Sequence, residues 1–268
     1  MMTVLLVIIA GAVRVVDWRA VAHSIASASV PLVIATAVIT FLSTVIKGIR
    51  WWLFLRHVTG LGIGHVVRLT ILGTGVNSVL FANAGDMVRV GLVAREARVP
   101  VGTVVRALAL DKVVEVLAFV TMLVALGTRL PVVFHRNVEI AAIGLVIVAL
   151  AVLFATRAEL RRRETAAGYA LSLISWATQV AAYATGAMAV GVAVPIAAIA
   201  IAVASVNLGG LVRSTPGNVG VFQLMFALAL APFGVANGQA VAAAVLIQAV
   251  QILSASIAGG IAATRFSH

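Results

Sequence analysis

The chain has 268 residues, of which 63% are hydrophobic and only 10% are charged. These values exclude an ordinary soluble domain, in which about a quarter of the residues are charged. The formal net charge is +11, but the basic residues are dispersed among apolar runs and no recognition motif accompanies them. Nucleic-acid binding is therefore not expected, and the sequence predicts a membrane protein.

Long apolar runs recur along the whole chain. Each has roughly the 17 to 25 residues that a helix needs to cross the hydrocarbon core, and their continuity is typical of helices. The first run has no basic segment ahead of it, so we interpret it as a retained span. The predicted spans are residues 3–16, 31–55, 108–127, 139–156, 166–188, 194–211 and 236–264.

Two further apolar segments carry helix-breaking residues. Residues 66–85 contain three glycines and two asparagines, and residues 207–232 contain four glycines and two prolines. Backbone groups freed by such residues are tolerated at membrane depth only beside protein or water, so we expect broken or re-entrant helices at both places. Interrupted segments in two halves also point to an inverted repeat with a binding site at its interface.

These patterns predict an all-α polytopic membrane protein with about 7 to 9 membrane segments, two of them broken or re-entrant. Residues 1–268 are expected to form a single integral membrane domain in a cell membrane, crossed several times. Arginines concentrate in residues 56–98 and 157–163, which predicts that these loops are cytoplasmic. The patterns carry no information on oligomeric state.

Charge lies where hydrocarbon is expected between Asn77 and Glu115. An ionisable side chain at bilayer depth is unfavourable by about 2.5 to 3.5 kcal/mol, so such groups usually pair and face a site. Asp86 and Arg89 are three residues apart and share one face of a helix that starts near Asp86. Either Asp86 caps this helix and Arg89 sets topology, or Arg89 binds a phosphate headgroup through its planar fork. We place Asn77, Asp86 and Arg89 in a candidate substrate-binding site.

A second charged group opens the next predicted span. Asp111, Lys112 and Glu115 fall on neighbouring positions of one helix. They are predicted to form a supporting ion network that Arg50 or Arg89 completes, with substrate contact as the alternative. Arg50 precedes a tryptophan pair of the kind that anchors spans at the headgroup level, but it lies nearer the apolar interior and joins the candidate site.

The second half offers a matching feature in residues 213–223. Arg213 is followed by a glycine-rich break that leads into a helix, and the N–H groups at a helix start favour an anion. A simple loop between spans is the alternative. The candidate binding residues here are Arg213, Pro216, Gly217, Gly220 and Gln223.

Other polar residues are assigned to structure. One stripe at helical spacing consists of Ser172, Trp176, Gln179 and Tyr183, and Gln248 and Gln251 form another; both are expected to make hydrogen bonds between helices. No catalytic nucleophile arrangement, metal motif or nucleotide-binding loop is present in the sequence. We therefore predict no catalytic residue, metal or cofactor, and a protein that is not an enzyme.

The ordered motifs resemble the flippase-like membrane domain of lysylphosphatidylglycerol synthases over nearly the whole chain. They are Arg50-Trp51, Asn77 ahead of Gly85-Asp86-Met87-Val88-Arg89, the group Asp111, Lys112 and Glu115, and Pro216-Gly217-Asn218-Val219-Gly220-Val221-Phe222. The resemblance implies a domain that moves a lipid, in the best-known members an aminoacylated phosphatidylglycerol, from the inner to the outer leaflet. It does not imply the lipid-modifying activity, which belongs to a cytosolic domain not found in these residues.

The chain departs from the family pattern at three places. Phe81 and Ala82 occupy a stretch that usually holds a proline, Asn218 stands in place of a glycine, and Gln223 stands in place of a glutamate. The last change removes a charge, which argues against a proton- or cation-linked role at that position.

The leading hypothesis is a translocator of an anionic or phosphate-bearing lipid, with aminoacylated and polyprenyl-linked lipids included. Without an ATP motif, transport would be downhill or coupled to an ion gradient through Asp86, Asp111 or Glu115. The alternatives are a membrane-embedded transferase acting on a lipid phosphate and a non-transporting membrane partner of a cell-envelope enzyme. The expected partners are membrane lipids and such an enzyme.

Overall fold

The computed structural model describes residues 18–79, 84–127, 143–151, 162–210 and 218–264. Every regular element in these ranges is helical, which confirms the predicted all-helical class. The predicted span 3–16 lies outside the described residues. The predicted span 139–156 is described only over residues 143–151, which are helical.

Nine α-helices have both ends within the described ranges. They are α1 (Trp18–Ala26), α2 (Val30–Thr59), α3 (Ile63–Val79), α4 (Ala84–Ala97), α5 (Val101–Gly127), α6 (Arg162–Ala189), α7 (Ile196–Gly209), α8 (Val221–Leu230) and α9 (Asn237–Thr264), and a single 3₁₀ turn (Ala231–Phe233) follows α8. Among the described helices, α2 and α9 are both long and apolar enough to cross a membrane.

The chain divides into two compact units. Unit 1 comprises Met1–Ile39 and Val180–Leu253, and unit 2 comprises Thr40–Gln179 and Ser254–His268. Three long helices, α2, α6 and α9, contribute residues to both units.

The apolar core of unit 2 is built around α2. Trp51 and Leu55 are fully buried there, together with Leu69 of α3 and Val93 of α4. The burial of Trp51 contradicts its interpretation as a headgroup anchor, because a belt residue would keep one edge at the membrane surface. Its neighbour Trp52 is half-buried and donates its indole N–H to a backbone carbonyl oxygen, 3.0 Å away.

Helices α3 and α4 pack against each other in antiparallel orientation, as the contacts of Gly73 with Arg89 and of Asn77 with Gly85 show. The sequence predicts that glycines interrupt a helix here, but α3 continues through Gly73 and Gly75 without interruption. They permit close contact instead. A Cβ atom on Gly85 would lie 1.8 Å from the carbonyl oxygen of Gly73, and one on Gly75 would lie 2.9 Å from the Cα of Gly259.

In unit 1, the short helix α8 packs on α7. α7 ends at Gly209 and α8 starts at Val221, so helical structure does stop inside the second predicted break. Tyr183 of α6 lies against Phe222 and Phe226 of α8, with ring centroids 5.7 and 6.1 Å apart. Aromatic and alanine side chains thus supply most of the packing around this pair of helices.

Candidate functional site

A buried arginine lies at the centre of unit 2. Arg50 is 1% exposed, and its Nε and Nη2 atoms bind the two carboxylate oxygens of Asp111 at 2.6 and 3.2 Å. Its Nη1 donates to the hydroxyl of Ser172, 3.0 Å away. This bidentate geometry is the strongest form of ion pair available to a guanidinium, and it ties α2 to α5 and α6.

Glu115 extends this pair into a cluster. Its Oε2 lies 3.3 Å from Arg50 Nη2 and 3.2 Å from Lys112 Nζ, so two cations share one carboxylate oxygen. The indole of Trp176 donates to the backbone carbonyl of Glu115 at 3.3 Å. The structure therefore brings Asp111, Lys112 and Glu115 together, and Arg50 rather than Arg89 links their two carboxylates.

Arg89 belongs to a second, adjacent group. Its Nη2 lies 2.9 Å from Asp86, one turn earlier on α4, and its guanidinium stacks over Trp51 with 4.4 Å between Cζ and the ring centroid. Arg89 Nε and Trp51 Nε1 are both buried and have no hydrogen-bond partner within the described part of the chain. Lys112 is close enough to feel the charges of both Asp86 and Arg89, so the two groups are electrostatically connected.

Asn77 holds the start of α4. Its Oδ1 accepts a hydrogen bond from the Gly85 amide at 2.7 Å, which satisfies one of the free N–H groups at a helix start. Asp86 lies within the first turn of α4, where its negative charge interacts favourably with the helix dipole and pairs with Arg89. Asn77, and not Asp86, therefore supplies the cap.

Part of the candidate site in the second half, namely Arg213, Pro216 and Gly217, lies outside the described residues. Gly220 has a φ of 90°, and its amide donates to Gln223 Oε1 at 2.7 Å instead of facing an open site. The Nε2 of Gln223 donates to Gln248 Oε1 at 2.6 Å. Gln223 thus caps α8 and links it to α9.

Asn218 explains one departure from the family pattern. Its φ is 60°, which lies in the left-handed region that favours glycine. Asparagine is among the few other residues that adopt this conformation readily, so it can replace a glycine here without much strain.

A third charged group lies at the end of α2, away from the buried cluster. Arg56 and His57 both contact the carboxylate of Glu164, at 3.2 and 2.8 Å. Hydrogen bonds from the Glu164 backbone amide, His57 and Arg56 lower the pKa of Glu164 to about 2. Across the described residues, no three histidine or acidic side chains come together as metal ligands.

Three contributors to the buried site were missed by sequence reasoning. Lys47 lies one turn before Arg50 and interacts electrostatically with the cluster. The ring of Trp51 stacks against the guanidinium of Arg89, and the hydroxyl of Ser172 accepts a hydrogen bond from Arg50. The i, i+3 spacing of Lys47 and Arg50 is a signal that could have identified the first. Ser172 and Trp176 do make the predicted hydrogen bonds between helices.

Two described helices, α2 and α9, are long and apolar enough to cross a membrane, and α2 carries the buried, paired Arg50, as expected for a helical membrane domain. The family model described as "Lysylphosphatidylglycerol synthase TM region" matches residues 2–169 and 153–259. The chain therefore belongs to this family, which confirms the resemblance. No curated protein matches the chain.

Proposed function

We propose that this domain crosses the cell membrane several times and moves an anionic or phosphate-bearing lipid between its leaflets. The observation that carries the proposal is the depth of the ion cluster in α2. At 1.5 Å per residue, Arg50 lies about 30 Å from the start of α2 and about 9 Å before Arg56, an exposed charged residue at the other end of the helix. Charges kept so far inside an apolar helix usually serve a polar pathway.

The cluster supplies polar contacts that lower the cost of moving a lipid headgroup out of water. Its ion pairs and hydroxyl groups replace part of the hydration shell, while the lipid chains stay in the hydrocarbon. Arg89 is proposed to contact the phosphate, since its Nε has no partner among the described residues and its stacking on Trp51 fixes the plane of its fork. On sequence grounds we include Arg213 as the second phosphate ligand, with Pro216 and Gly217 shaping the break after it.

The remaining candidate residues are assigned supporting roles. Asn77, Gly220 and Gln223 hold the two helix starts, and Asp86 orients Arg89. With no nucleotide-binding motif in the sequence, transport is downhill or coupled to an ion gradient. Under this proposal the chain is a transporter rather than an enzyme, its direct partners are lipids, and a cell-envelope enzyme that makes or uses the lipid is a further partner.

Reconstitution into liposomes tests the proposal. Leaflet exchange of fluorescent and native lipids is measured across a panel of headgroups, for the wild type and for Arg89→Ala. We expect exchange of anionic lipids in the wild type and its loss in the variant, which should still unfold in a cooperative thermal transition although Asp86 loses its ion-pair partner. If the wild type exchanged no lipid of the panel faster than protein-free liposomes do, transport would be contradicted. Full complementation of a deletion phenotype by Arg89→Ala would favour the non-transporting partner instead.

A further inference from the structure

Among the charged residues of the cluster, Lys47 differs in having no hydrogen-bond or ion-pair partner in the described part of the chain. It is half-buried on α2, and it interacts electrostatically with Glu115, Arg50, Lys112 and Asp111. Within the described part of the chain, its ammonium makes no hydrogen bond and no ion pair. Its position places it about 26 Å from the start of α2 and about 18 Å from its end, near the middle of the helix.

The surrounding charges do not balance. Three cations, Lys47, Arg50 and Lys112, accompany two carboxylates, those of Asp111 and Glu115. Asp86 and Arg89 form a separate neutral pair. Counted as ionised, these groups carry one positive charge in excess, and Lys47 is the cation among them that has no ion pair in the described residues.

Arg50 cannot serve as the headgroup ligand that the sequence suggests. Each of its three nitrogens already has a partner in Asp111, Glu115 or Ser172, and the residue is 1% exposed. Lys112, by contrast, has a side chain that is 48% exposed and shares its carboxylate with Arg50. The two lysines are thus the cations of the cluster that remain open to a ligand.

An ammonium without a partner in the middle of an apolar helix is unfavourable unless it loses its proton or an anion reaches it, and a bound anion favours the charged form. Deepening the proposed function on which it rests, we propose that Lys47, together with Lys112, binds a phosphate group that carries one negative charge. A phosphate diester has that charge, and a compact ammonium with three donors suits its oxygens. A lipid headgroup and free monovalent phosphate share this chemistry, so the test must separate them.

Binding is measured on the purified full chain in detergent by isothermal titration calorimetry. The probes are dihexanoyl phosphatidylglycerol, dihexanoyl phosphatidylcholine and inorganic phosphate. We expect the glycerol lipid to bind tightest, and Lys47→Gln to weaken it about 10- to 100-fold, the usual value of a hydrogen bond to a charged group. Lys47→Arg, which keeps the charge, should restore part of the affinity.

Arg56→Gln is the matched control, since it removes the same charge from the same helix at an exposed position outside the cluster. Its affinity for the glycerol lipid should stay within about twofold of the wild type, as expected for a screened surface charge. The thermal midpoint separates the ligand role from a structural one. Lys47→Gln should leave it unchanged or raise it, because the substitution removes a charge that has no partner.

Each other outcome is decisive. Wild-type affinity in Lys47→Gln, or a lowered thermal midpoint together with lost binding in both Lys47→Gln and Lys47→Arg, would overturn the assignment of Lys47. Equal affinity for inorganic phosphate and the lipid would overturn the lipid as ligand. Liposome exchange keeps the two proposals apart: Lys47-dependent binding without wild-type exchange refutes only transport, and undiminished exchange by Lys47→Gln refutes only this inference.

Discussion

Two pairs of short helices, α3 with α4 and α7 with α8, share one way of arranging the backbone. In each pair a glycine permits close contact, Gly85 in the first and Gly209 in the second. In each, an amide side chain accepts a hydrogen bond from a glycine N–H at the start of the second helix, at 2.7 Å in both cases. The accepting amide lies on the first helix of one pair, in Asn77, and on the second helix of the other, in Gln223, so the inverted repeat stays a prediction.

The chemistry around the two pairs is different. The first lies beside Arg89, Asp86 and the ion cluster of Arg50, whereas the second lies beside the Gln223–Gln248 amide pair and three aromatic rings. Among the described residues of unit 1, Arg19 is the sole lysine, arginine, aspartate or glutamate. The comparison teaches that, among the described residues, this helix arrangement forms in the second pair without charged side chains beside it.

The largest expected effect comes from opening the ion cluster. Asp111→Ala removes the bidentate partner of Arg50 and leaves a guanidinium buried with only Glu115 and Ser172. Breaking a buried pair in this way is expected to lower the free energy of unfolding by about 3 to 5 kcal/mol. Thermal or denaturant unfolding in detergent measures the loss.

A double variant shows whether the loss comes from the uncompensated charge. Arg50→Met combined with Asp111→Ala should recover at least half of the stability, because no buried charge is then left alone. Lys112→Gln is the control, since its side chain is 48% exposed and should have a small effect. Wild-type stability in Asp111→Ala would mean that the cluster contributes nothing, and that the two helix pairs do not differ in this respect.

The glycine contacts offer an intermediate effect that sharpens the comparison. A Cβ on Gly85 would lie 1.8 Å from a backbone oxygen, whereas one on Gly209 would lie 2.6 Å from the flexible side chain of Met225. Gly85→Ala is therefore expected to destabilise by about 1 to 3 kcal/mol or more, and Gly209→Ala by less, because methionine can move. Unfolding midpoints of the two variants in detergent provide the comparison.

Gly91 provides a control within α4, since nothing lies within 4 Å of a Cβ placed there. Gly91→Ala should be neutral or stabilise by up to about 1 kcal/mol, from helix propensity alone. If Gly85→Ala and Gly91→Ala behaved alike, the close approach of α3 and α4 would be refuted.

The fold was predictable where hydropathy alone decides it. The predicted spans 31–55, 166–188, 194–211 and 236–264 fall on α2, α6, α7 and α9, because continuous apolar runs of that length can hardly be anything else. α5 begins at Val101, ahead of the predicted residue 108, since hydropathy marks the apolar part of a helix and not its first turn.

The site was predictable only in part, because burial and pairing depend on what each side chain meets. Charge at bilayer depth identified Arg50, Arg89 and the acidic residues of α5. The same reasoning could not show that Trp51 is a buried platform rather than an anchor, or that Gly73 contacts a backbone rather than breaking a helix. Those facts depend on the neighbouring helices, which a local pattern does not contain.

The smallest expected effect concerns the neutral counterpart in unit 1. Gln223→Ala removes the cap on the Gly220 amide and the donor to Gln248. Loss of a cap and of one neutral hydrogen bond is expected to lower the free energy of unfolding by about 1 to 2 kcal/mol. Unfolding in detergent at two salt concentrations measures it, and the loss should be the same at both because no charge is involved.

Gln239 on α9 is the control, since it is exposed and Gln239→Ala should change stability little. A salt-dependent loss of stability in Gln223→Ala would show that a nearby charge interacts with the amide pair. The contrast between a charged and a neutral helix pair would then be refuted. A salt-independent loss, smaller than that of Asp111→Ala, would support it. The two helix starts would then share a backbone arrangement and differ in the charge of the side chains around them.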